Sequence, residues 1–243
     1  MNSYDISAVI TAHNEGLLIV PSLRSAIRSA LCAEAEGFSV EVLVILDRAD
    51  VLTKSVVESF RGSNTRIIEV KCGDPGLARN EATRVAKGEW VAFLDGDDLW
   101  GESWLLNAVR AARHDRRAVV WHPEVSVYFG EARRIYRHID MESAEYNPLG
   151  LVIQNYWTAL HFSPRDLMLN VPYVATGPVG YEDWDWNVSA VKAGAIHKVV
   201  KGTGHGIRIK DNSRLKSSNN ARSSLSPTDL FRKIMVPGRR LAK

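Results

Sequence analysis

Three aspartates lie within four residues in the segment Phe93-Leu94-Asp95-Gly96-Asp97-Asp98, directly after an apolar run. Carboxylates this close together repel one another unless a cation neutralises them. Carboxylate oxygens suit Mg²⁺ or Mn²⁺, which are commonly shared with substrate phosphates. Gly96 allows the tight backbone path that brings Asp95 and Asp97 together, as in a DXD motif. The simpler interpretation is a solvated turn rich in Asp and Gly.

A second acidic group, Glu182-Asp183-Trp184-Asp185, stands at the start of a predicted helix. Acidic residues in a first helical turn have a structural explanation, because they stabilise the positive end of the helix dipole. The functional alternative is a general base that takes a proton from an acceptor hydroxyl. Trp184 and Trp186 would then offer flat apolar surface to a sugar ring, although tryptophan is as readily a core residue.

The elements that must position these groups alternate regularly in the first half. Apolar runs predict strands at 6–10, 40–46, 65–70 and 90–94, and helical patterns fill 21–33, 53–60, 77–87 and 102–114. We expect Thr53 to cap the second helix and Gly88 to close the third in a left-handed conformation. Strands separated by helices require crossovers, which predicts an α/β fold with a mostly parallel, Rossmann-like sheet flanked by helices. Ligands of such sheets bind beyond the carboxyl ends of the strands, where Asp95 and Asp97 fall.

The second half is less regular and predicts a smaller acceptor-side subregion. An extended segment at 118–129 pairs as a hairpin with 133–139, and 140–163 reads as loop with a short helix near 151–156. A helix starting near Glu182 precedes a strand at 195–200. The glycines at 202, 204 and 206 do not form a dinucleotide fingerprint, because the third is misplaced and no helix follows.

The composition is that of a soluble globular protein, with 243 residues, 45% hydrophobic and 24% charged. The net charge of +3 is too small to indicate nucleic acid as a partner. The amino terminus lacks a signal-peptide pattern, and we see no apolar run of the roughly 18 to 20 residues that span a bilayer. We therefore expect a cytoplasmic protein. Cys32 and Cys72 form no spaced motif, and we expect them to be reduced.

Basic residues dominate the carboxyl-terminal end, with ten Lys or Arg against two Asp from residue 208 onward. The simpler interpretation is a solvated, partly mobile tail over 216–243. The alternative is contact with a diphosphate or with anionic lipid headgroups, which would place the protein peripherally at the inner face of the membrane.

Four segments in order resemble family 2 glycosyltransferases, which have the GT-A fold. They are Ala8-Val9-Ile10-Thr11-Ala12-His13-Asn14-Glu15, Leu46-Asp47-Arg48, the stretch from Pro75-Gly76-Leu77-Ala78-Arg79-Asn80 through Gly88 to Asp98, and Tyr181-Glu182-Asp183-Trp184. The resemblance covers roughly residues 5 to 215. It implies a domain over 1–215, with a nucleotide-sugar-binding half at 5–115 and an acceptor-binding, catalytic half at 116–215.

The resemblance also implies an activity and its cofactor. Members of the family transfer a sugar, with inversion, from a nucleotide-diphosphate donor to an acceptor hydroxyl in polysaccharide, glycolipid or glycoconjugate biosynthesis. A UDP-sugar is the expected donor, Mg²⁺ or Mn²⁺ the expected cofactor, and a saccharide or lipid-linked molecule the expected acceptor.

Each matched position receives an implied role. On the donor side, Ala12 and Glu15 border the nucleotide, Asp47 reads the base, Arg79 lies over the nucleotide or its phosphates, Asp95 contacts ribose or metal, and Asp97 is the principal metal ligand. On the acceptor side, Asp183 is the catalytic base and Glu182 positions donor or acceptor beside it.

The chain departs from the family pattern at two places. The second strand of relatives usually ends in two aspartates, whereas only Asp47 stands here before Arg48. Lys210 occupies the position where many relatives carry a histidine that assists the metal or diphosphate. A lysine can neutralise the diphosphate as a point charge, and His205 is a fallback for the same role.

Two other functions compete with this interpretation. A sugar nucleotidyltransferase would carry a glycine-rich, basic loop after the first strand, but residues 11–16 are acidic and lack lysine. A non-catalytic nucleotide-sugar-binding module is opposed by the joint presence of both acidic groups. No motif marks the acceptor surface, for which the candidates are Trp157, His161, Tyr173 and Trp184.

Overall fold

Nine strands form one mixed sheet in the computed structural model, which describes residues 3–62, 65–131, 133–175 and 180–210. In chain order the strands are β1 (Tyr4–Ala12), β2 (Val40–Asp47), β3 (Thr65–Val70), β4 (Gly88–Asp95), β5 (Leu99–Trp100), β6 (Val119–Gly130), β7 (Arg134–Arg137), β8 (Phe162–Pro164) and β9 (Ile196–Ile209). The helices are α1 (Ile19–Glu34), α2 (Val51–Glu58), α3 (Pro75–Val85), α4 (Trp104–His114), α5 (Arg165–Asn170) and α6 (Glu182–Lys192), with 3₁₀ turns at Gly16–Leu18 and Pro148–Val152. The expected tail over 216–243 lies outside the described residues.

The first half of the sheet is parallel, as the alternation of strands and helices predicts. The strand order runs β3-β2-β1-β4-β8-β6-β9-β5, and the pairs joining the first four strands are all parallel. The register places Ala12 opposite Leu46 and Thr11 opposite Asp95, so the carboxyl ends of β1, β2 and β4 reach one edge together. Asp95 of the DXD segment lies at this edge.

The core has two layers, one on each face of the sheet. On one face α1 and α4 bury Leu23 and Trp104, and on the other α3, α5 and α6 pack Ala82, Met168 and Trp186 against the sheet. Strands β1, β2 and β4 are buried along most of their length. A nearly continuous apolar composition is what a parallel sheet covered on both faces requires.

Helix α1 and the 3₁₀ turn before it form one span, Gly16–Glu34, that is long and apolar enough to cross a membrane. This span is contrary to the expectation that no segment is long and apolar enough to cross a bilayer. In the fold, α1 buries Ile19 and Leu23 in the core, and the hydroxyls of Ser25 and Ser29 accept hydrogen bonds from the backbone of Trp100 and Leu105. These contacts make α1 a core helix of the domain.

The second half adds antiparallel pairs around one long parallel pair. Strand β8 joins β4 to β6 in antiparallel fashion, β7 extends the predicted hairpin with β6, and β9 runs parallel to β6 from residue 196 to residue 209. The register of β6 with β9 shifts between Pro123 and Val125, as expected where a proline lacks the amide N–H of a ladder. The predicted strand at 195–200 is therefore only the first part of β9.

Two predicted helix signals are wrong in detail. Helix α2 is capped by Asp50, whose Oδ1 accepts from the Thr53 amide at 2.7 Å, whereas the Thr53 hydroxyl accepts from the Gly16 amide. Gly88 is not a left-handed cap but the first residue of β4. A Cβ on Gly88 would lie 2.4 Å from the backbone nitrogen of Ser7, so glycine is needed there for close approach of β1 and β4.

Five histidines are buried along the β6–β9 region: His122, His138, His161, His197 and His205. The rings of His122 and His197 stack, with the Nε2 of His122 2.9 Å from the Nδ1 of His197. Burial lowers the pKa of all five, to about 4 for His138 and about 3 for His197. They are therefore neutral core residues.

Candidate functional site

A cavity of about 580 Å³ opens at the carboxyl ends of β1, β2 and β4. Its lining includes all of the predicted donor-side residues except Lys210, together with Glu182: Ala12, Glu15, Asp47, Arg79, Asp95, Asp97 and Glu182. The structure thus brings together side chains from four separate segments of the chain. Their shared position is that expected for a ligand site of an open α/β sheet.

Arg79 on α3 holds two carboxylates from beneath the cavity. Its Nη2 lies 2.7 Å from Asp95 Oδ1 and its Nη1 lies 3.4 Å from Glu182 Oε1, while only 1% of the side chain is exposed. Burial by itself would lower the pKa of Arg79, but the neighbouring carboxylates outweigh it and raise the pKa. The guanidinium is therefore a permanent cation that fixes Asp95 and Glu182 in place.

The loop after β1 and the end of β2 form the wall of the same cavity. Both carboxylate oxygens of Asp47 accept from the Gly73 amide, at 3.0 and 2.7 Å. The Nδ1 of His13 lies 2.6 Å from the carbonyl oxygen of Asp47, and the Glu15 carboxylate accepts from the His13 amide. Burial raises the pKa of Glu15, and the nearby Asp97 adds to this. Asp47 and Glu15 are thus held by backbone amides along the rim.

The end of β9 lies against the DXD segment. Lys210 Nζ is 2.5 Å from Asp97 Oδ2. Two residues earlier, the Arg208 amide donates to Asp98 Oδ1 at 2.7 Å and Arg208 Nε donates to the carbonyl of Asp97. Asp98 is buried, and burial together with the charges of Asp95 and Asp97 raises its pKa. Asp98 therefore acts as an anchor for β9.

A second cavity of about 350 Å³ adjoins the first and shares Arg79, Asp95, Asp97 and Glu182 with it. Its remaining wall is formed by the start of α6, β6, the end of β9 and the loop before β8, and it includes Asp183, Tyr128, Tyr181, Thr158, Arg208 and Lys210. The shared carboxylates thus lie between a cavity at the strand ends and a neighbouring cavity beside α6.

Asp183 lies at the start of α6 and faces the second cavity. Asn155 Nδ2 donates to Asp183 Oδ2 at 3.0 Å, and the Trp184 amide lies 2.8 Å from Asp183 Oδ1. Burial, followed by the charge of Glu182, raises the pKa of Asp183 to about 7. A carboxylate of this pKa can accept a proton near neutral pH, as a general base must.

Several sequence predictions for this region are corrected. Trp157, His161 and Tyr173 are buried in the core, so none of them offers an acceptor surface. Trp184 is partly exposed, but its Nε1 donates to the Leu151 carbonyl and it lines neither cavity. The fallback His205 is also buried, with its ring edge-on against Trp104. Packing of the second half thus buries the rings of Trp157, His161, Tyr173 and His205.

Four contributors were missed by sequence reasoning. Thr11 donates to Asp95 Oδ1 at 2.9 Å, Asn155 holds Asp183, Tyr128 lines the second cavity, and Arg208 joins β9 to the DXD segment. Thr11 could have been found, because it lies near the carboxyl end of β1, which pairs with the strand that leads to Asp95. Arg208 lies two residues before the predicted Lys210, whereas Tyr128 and Asn155 come from segments whose approach to the site has no local signal.

The residues present fit a divalent cation held jointly with a diphosphate. Among the described residues no group of three or more His, Cys, Asp or Glu side chains is arranged to hold a metal by itself. Mg²⁺ in phosphate-transfer sites is usually held by only one or two carboxylates, with substrate oxygens completing the shell. Asp97 and Asp95, which line both cavities, supply such a pair.

The parallel first half of the sheet, the acidic cavity at its strand ends and the adjoining carboxylate of raised pKa describe an α/β protein with a ligand site at the carboxyl ends of its strands. The family model described as glycosyl transferase family 2 matches residues 7–172, more than half of the chain. The chain therefore belongs to glycosyl transferase family 2, as the resemblance of its four segments implied.

Individual proteins agree with this assignment. The chain is 34% identical to the succinoglycan biosynthesis protein ExoO of Rhizobium meliloti (strain 1021) over 95 residues, which is 39% of this chain and 26% of ExoO. It is 31% identical to the poly(ribitol-phosphate) beta-glucosyltransferase of Bacillus spizizenii over 105 residues, which is 42% of this chain and 16% of that protein. The matches thus span well under half the length of these relatives.

A solved structure confirms the fold. Staphylococcus aureus TarS (residues 1–349, in complex with UDP-GlcNAc) aligns with a TM-score of 0.71 at 20% identity, covering 95% of this chain and 64% of that one. The chain has the GT-A fold predicted from its sequence.

Proposed function

We propose that the protein is an inverting glycosyltransferase that moves a sugar from a nucleotide-diphosphate donor to an acceptor hydroxyl in polysaccharide or glycoconjugate biosynthesis. The observation that carries the proposal is the pair of adjoining cavities that share Asp95, Asp97 and Glu182, with Asp183 facing the second. The first cavity would take the nucleotide and diphosphate, and the second would take the acceptor.

In the proposed donor site, Asp47 accepts a hydrogen bond from a base N–H and Glu15 borders the nucleotide. UDP is the proposed nucleotide, which is supported by the structure of TarS with UDP-GlcNAc. Asp97, with Asp95 beside it, would hold Mg²⁺ or Mn²⁺ against the diphosphate. When bound, the cation supplies positive charge that stabilises the leaving diphosphate. Lys210 adds a further positive charge next to Asp97.

In the proposed reaction Asp183 takes the proton of the acceptor hydroxyl while the hydroxyl oxygen of the acceptor attacks the anomeric carbon of the donor sugar. The new bond joins the acceptor oxygen to that carbon, and the bond from that carbon to the diphosphate oxygen breaks with its electron pair leaving on the diphosphate. One displacement by one base inverts the anomeric centre. The pKa of about 7 for Asp183 supports the role of base, because the group is substantially ionised at neutral pH.

The acceptor would lie against Tyr128 and Tyr181, whose rings replace the predicted tryptophans as candidates for sugar stacking. A saccharide or lipid-linked acceptor remains the prediction, and the Bacillus relative is a poly(ribitol-phosphate) beta-glucosyltransferase. Cytoplasmic location and membrane contact through the basic tail also remain predictions.

Calorimetric titration tests the donor site directly. UDP, GDP and dTDP are titrated into wild type and Asp97→Ala, each with and without Mn²⁺. We expect Mn²⁺-dependent binding of UDP that is lost in Asp97→Ala, while the control Asp166→Ala, on α5 away from both cavities, binds as wild type does. Absence of binding by all three nucleotides would contradict the proposal and favour a different ligand.

A further inference from the structure

The ion pair between Lys210 and Asp97 lies where the proposed metal would bind. Lys210 Nζ is 2.5 Å from Asp97 Oδ2, and 16% of the Asp97 side chain is exposed. A cation ligated by Asp97 would lie next to the ammonium group, and two positive charges at such close range repel each other. Asp97 therefore does not accommodate both in the arrangement that the structure shows.

The backbone before Lys210 is fixed to the same segment that carries Asp97. The Arg208 amide donates to Asp98 Oδ1, and Arg208 Nε donates to the carbonyl oxygen of Asp97. The Arg208 guanidinium also packs 4.6 Å from the centre of the Phe129 ring. Since side chains two apart along an extended strand share a face, Arg208 and Lys210 both face the DXD segment. This anchoring makes Lys210 a local partner of Asp97 and leaves only its flexible four-carbon stem to move.

The surroundings of Lys210 are acidic. Besides Asp97, the carboxylates of Glu15 and Asp98 are close enough for Lys210 to lower their pKa against the raising effect of burial. Loss of Lys210 would thus leave three carboxylates with less compensating charge, which is an environment that attracts a divalent cation. Lys210 lines the second cavity while Asp97 lines both, so the ammonium lies at their boundary.

We propose that Lys210 and the divalent cation compete for Asp97, and that the nucleoside diphosphate ends the competition by drawing Lys210 onto its own phosphate oxygens. Metal and diphosphate then bind together, and the metal binds weakly alone. This inference rests on the proposed function, because it needs a diphosphate in the first cavity. It assigns Lys210 a role opposite to that of a metal-assisting histidine, since removal of Lys210 strengthens binding of the metal alone.

The test measures Mn²⁺ binding by electron paramagnetic resonance to wild type and Lys210→Met, with and without UDP. In the absence of UDP we expect Lys210→Met to bind Mn²⁺ about tenfold more tightly than wild type does. The enhancement of Mn²⁺ binding by UDP should be about tenfold smaller in the variant, because UDP no longer has to remove a competing lysine from Asp97. Binding of UDP in EDTA should weaken about tenfold, since the variant lacks the charge that meets the diphosphate.

Two controls separate this effect from general changes in charge or folding. Lys201→Met removes an exposed lysine from β9, the strand that ends one residue before Lys210. Lys201 lies 3.8 Å from Glu124, and its removal should leave all three affinities unchanged. Lys210→Arg keeps the charge and should retain weak binding of Mn²⁺ alone. Equal thermal midpoints will show that the variants are folded.

The outcomes are decisive in each arm. Unchanged or weaker binding of Mn²⁺ alone in Lys210→Met overturns the competition, whatever UDP does. If UDP with Mn²⁺ does not bind to wild type, both the proposed function and the release of Lys210 by diphosphate are wrong. Binding of Mn²⁺ alone to wild type and to Lys210→Met still decides whether Lys210 and the metal compete.

Discussion

Asn155 donates a hydrogen bond to Asp183 across 28 residues of sequence, with Asn155 Nδ2 3.0 Å from Asp183 Oδ2. The Oδ1 of Asn155 accepts from Asn187 Nδ2 at 2.9 Å, so the amide is fixed on both sides. The donor therefore points at the carboxylate in a defined direction. A hydrogen bond of this kind favours the charged form of a carboxyl group, which opposes the effect of burial.

Asp183→Asn should lower the rate of sugar transfer by about 10²- to 10⁴-fold, because it removes the proposed base, while UDP binds as in wild type. The folded-state pKa of Asp183 is raised, so its ionised carboxylate destabilises the fold at high pH and not at low pH. At pH 8 the variant should therefore be more stable than wild type by about 1 kcal/mol, which raises the thermal midpoint by about 2–4 °C, and near pH 3 the two should be equally stable. Transfer assays and calorimetry check both parts; undiminished transfer would exclude Asp183 as the base.

In wild type, kcat should rise with pH and reach half of its maximum near pH 7, the pKa of Asp183. Asn155→Ala should move this midpoint to a higher pH. Loss of the hydrogen bond makes the carboxylate harder to ionise, so kcat falls about tenfold at pH 6.5 and recovers toward wild type at pH 9. KM for the donor should not change. The control is Asn147→Ala, which removes an amide that caps the 3₁₀ turn Pro148–Val152 and does not contact Asp183. A uniform loss at every pH would show a structural role instead.

Arg79→Met should destabilise the fold by about 3–5 kcal/mol, because Asp95 and Glu182 lose the buried cation that they share. Chemical denaturation measures this difference. Arg84→Met, on the same helix, removes an exposed arginine paired with Glu81 and should change stability by less than about 1 kcal/mol. Similar losses in the two variants would mean that the Arg79 network adds no stability of its own.

The buried histidines predict a loss of stability in mild acid. Their folded-state pKa values are lowered, so the unfolded chain binds protons first as the pH falls below about 6.5. Stability should therefore fall between pH 7 and pH 5, by up to about 1.4 kcal/mol per pH unit for each histidine. Proton uptake on unfolding at pH 5 should be smaller by about one in His197→Gln than in wild type. Equal uptake in the variant and wild type would contradict the prediction.

The first half of the fold could be predicted from sequence because its signals are local. An apolar run followed at once by a carboxylate marks both a parallel strand and the edge where ligands bind, and Asp47 and Asp95 follow this rule. One error there concerns which of two nearby residues caps the start of α2. Asp50 is the cap, although Thr53 is an equally suitable residue type. Whether an oxygen caps a helix depends on the loop before it, here on Thr53 being engaged by Gly16.

The second half of the site could be predicted only in part, because it is assembled from distant segments. Tyr128, Asn155 and Asp183 meet through strand pairing and helix packing that leave no periodic pattern in the sequence. Trp157 illustrates the same point from the other side. Its ring type suits sugar stacking, but the ring lies 4.0 Å from that of His197 inside the core. Only the tertiary packing decides which aromatic rings face solvent.

The position of Asp95 at one end of β4 depends on the close approach of β4 to β1 at Gly88, at the other end. Gly88 pairs with Tyr4 at the bottom of the ladder, and Asp95 pairs with Thr11 at its top, about 23 Å away for seven residues of strand. Because a side chain at position 88 would push β4 away from β1, it would also tilt the strand that carries Asp95 relative to Thr11. The spacing of the carboxylates thus depends on a contact far outside both cavities, and a substitution at Gly88 would disturb it without altering any residue that lines them.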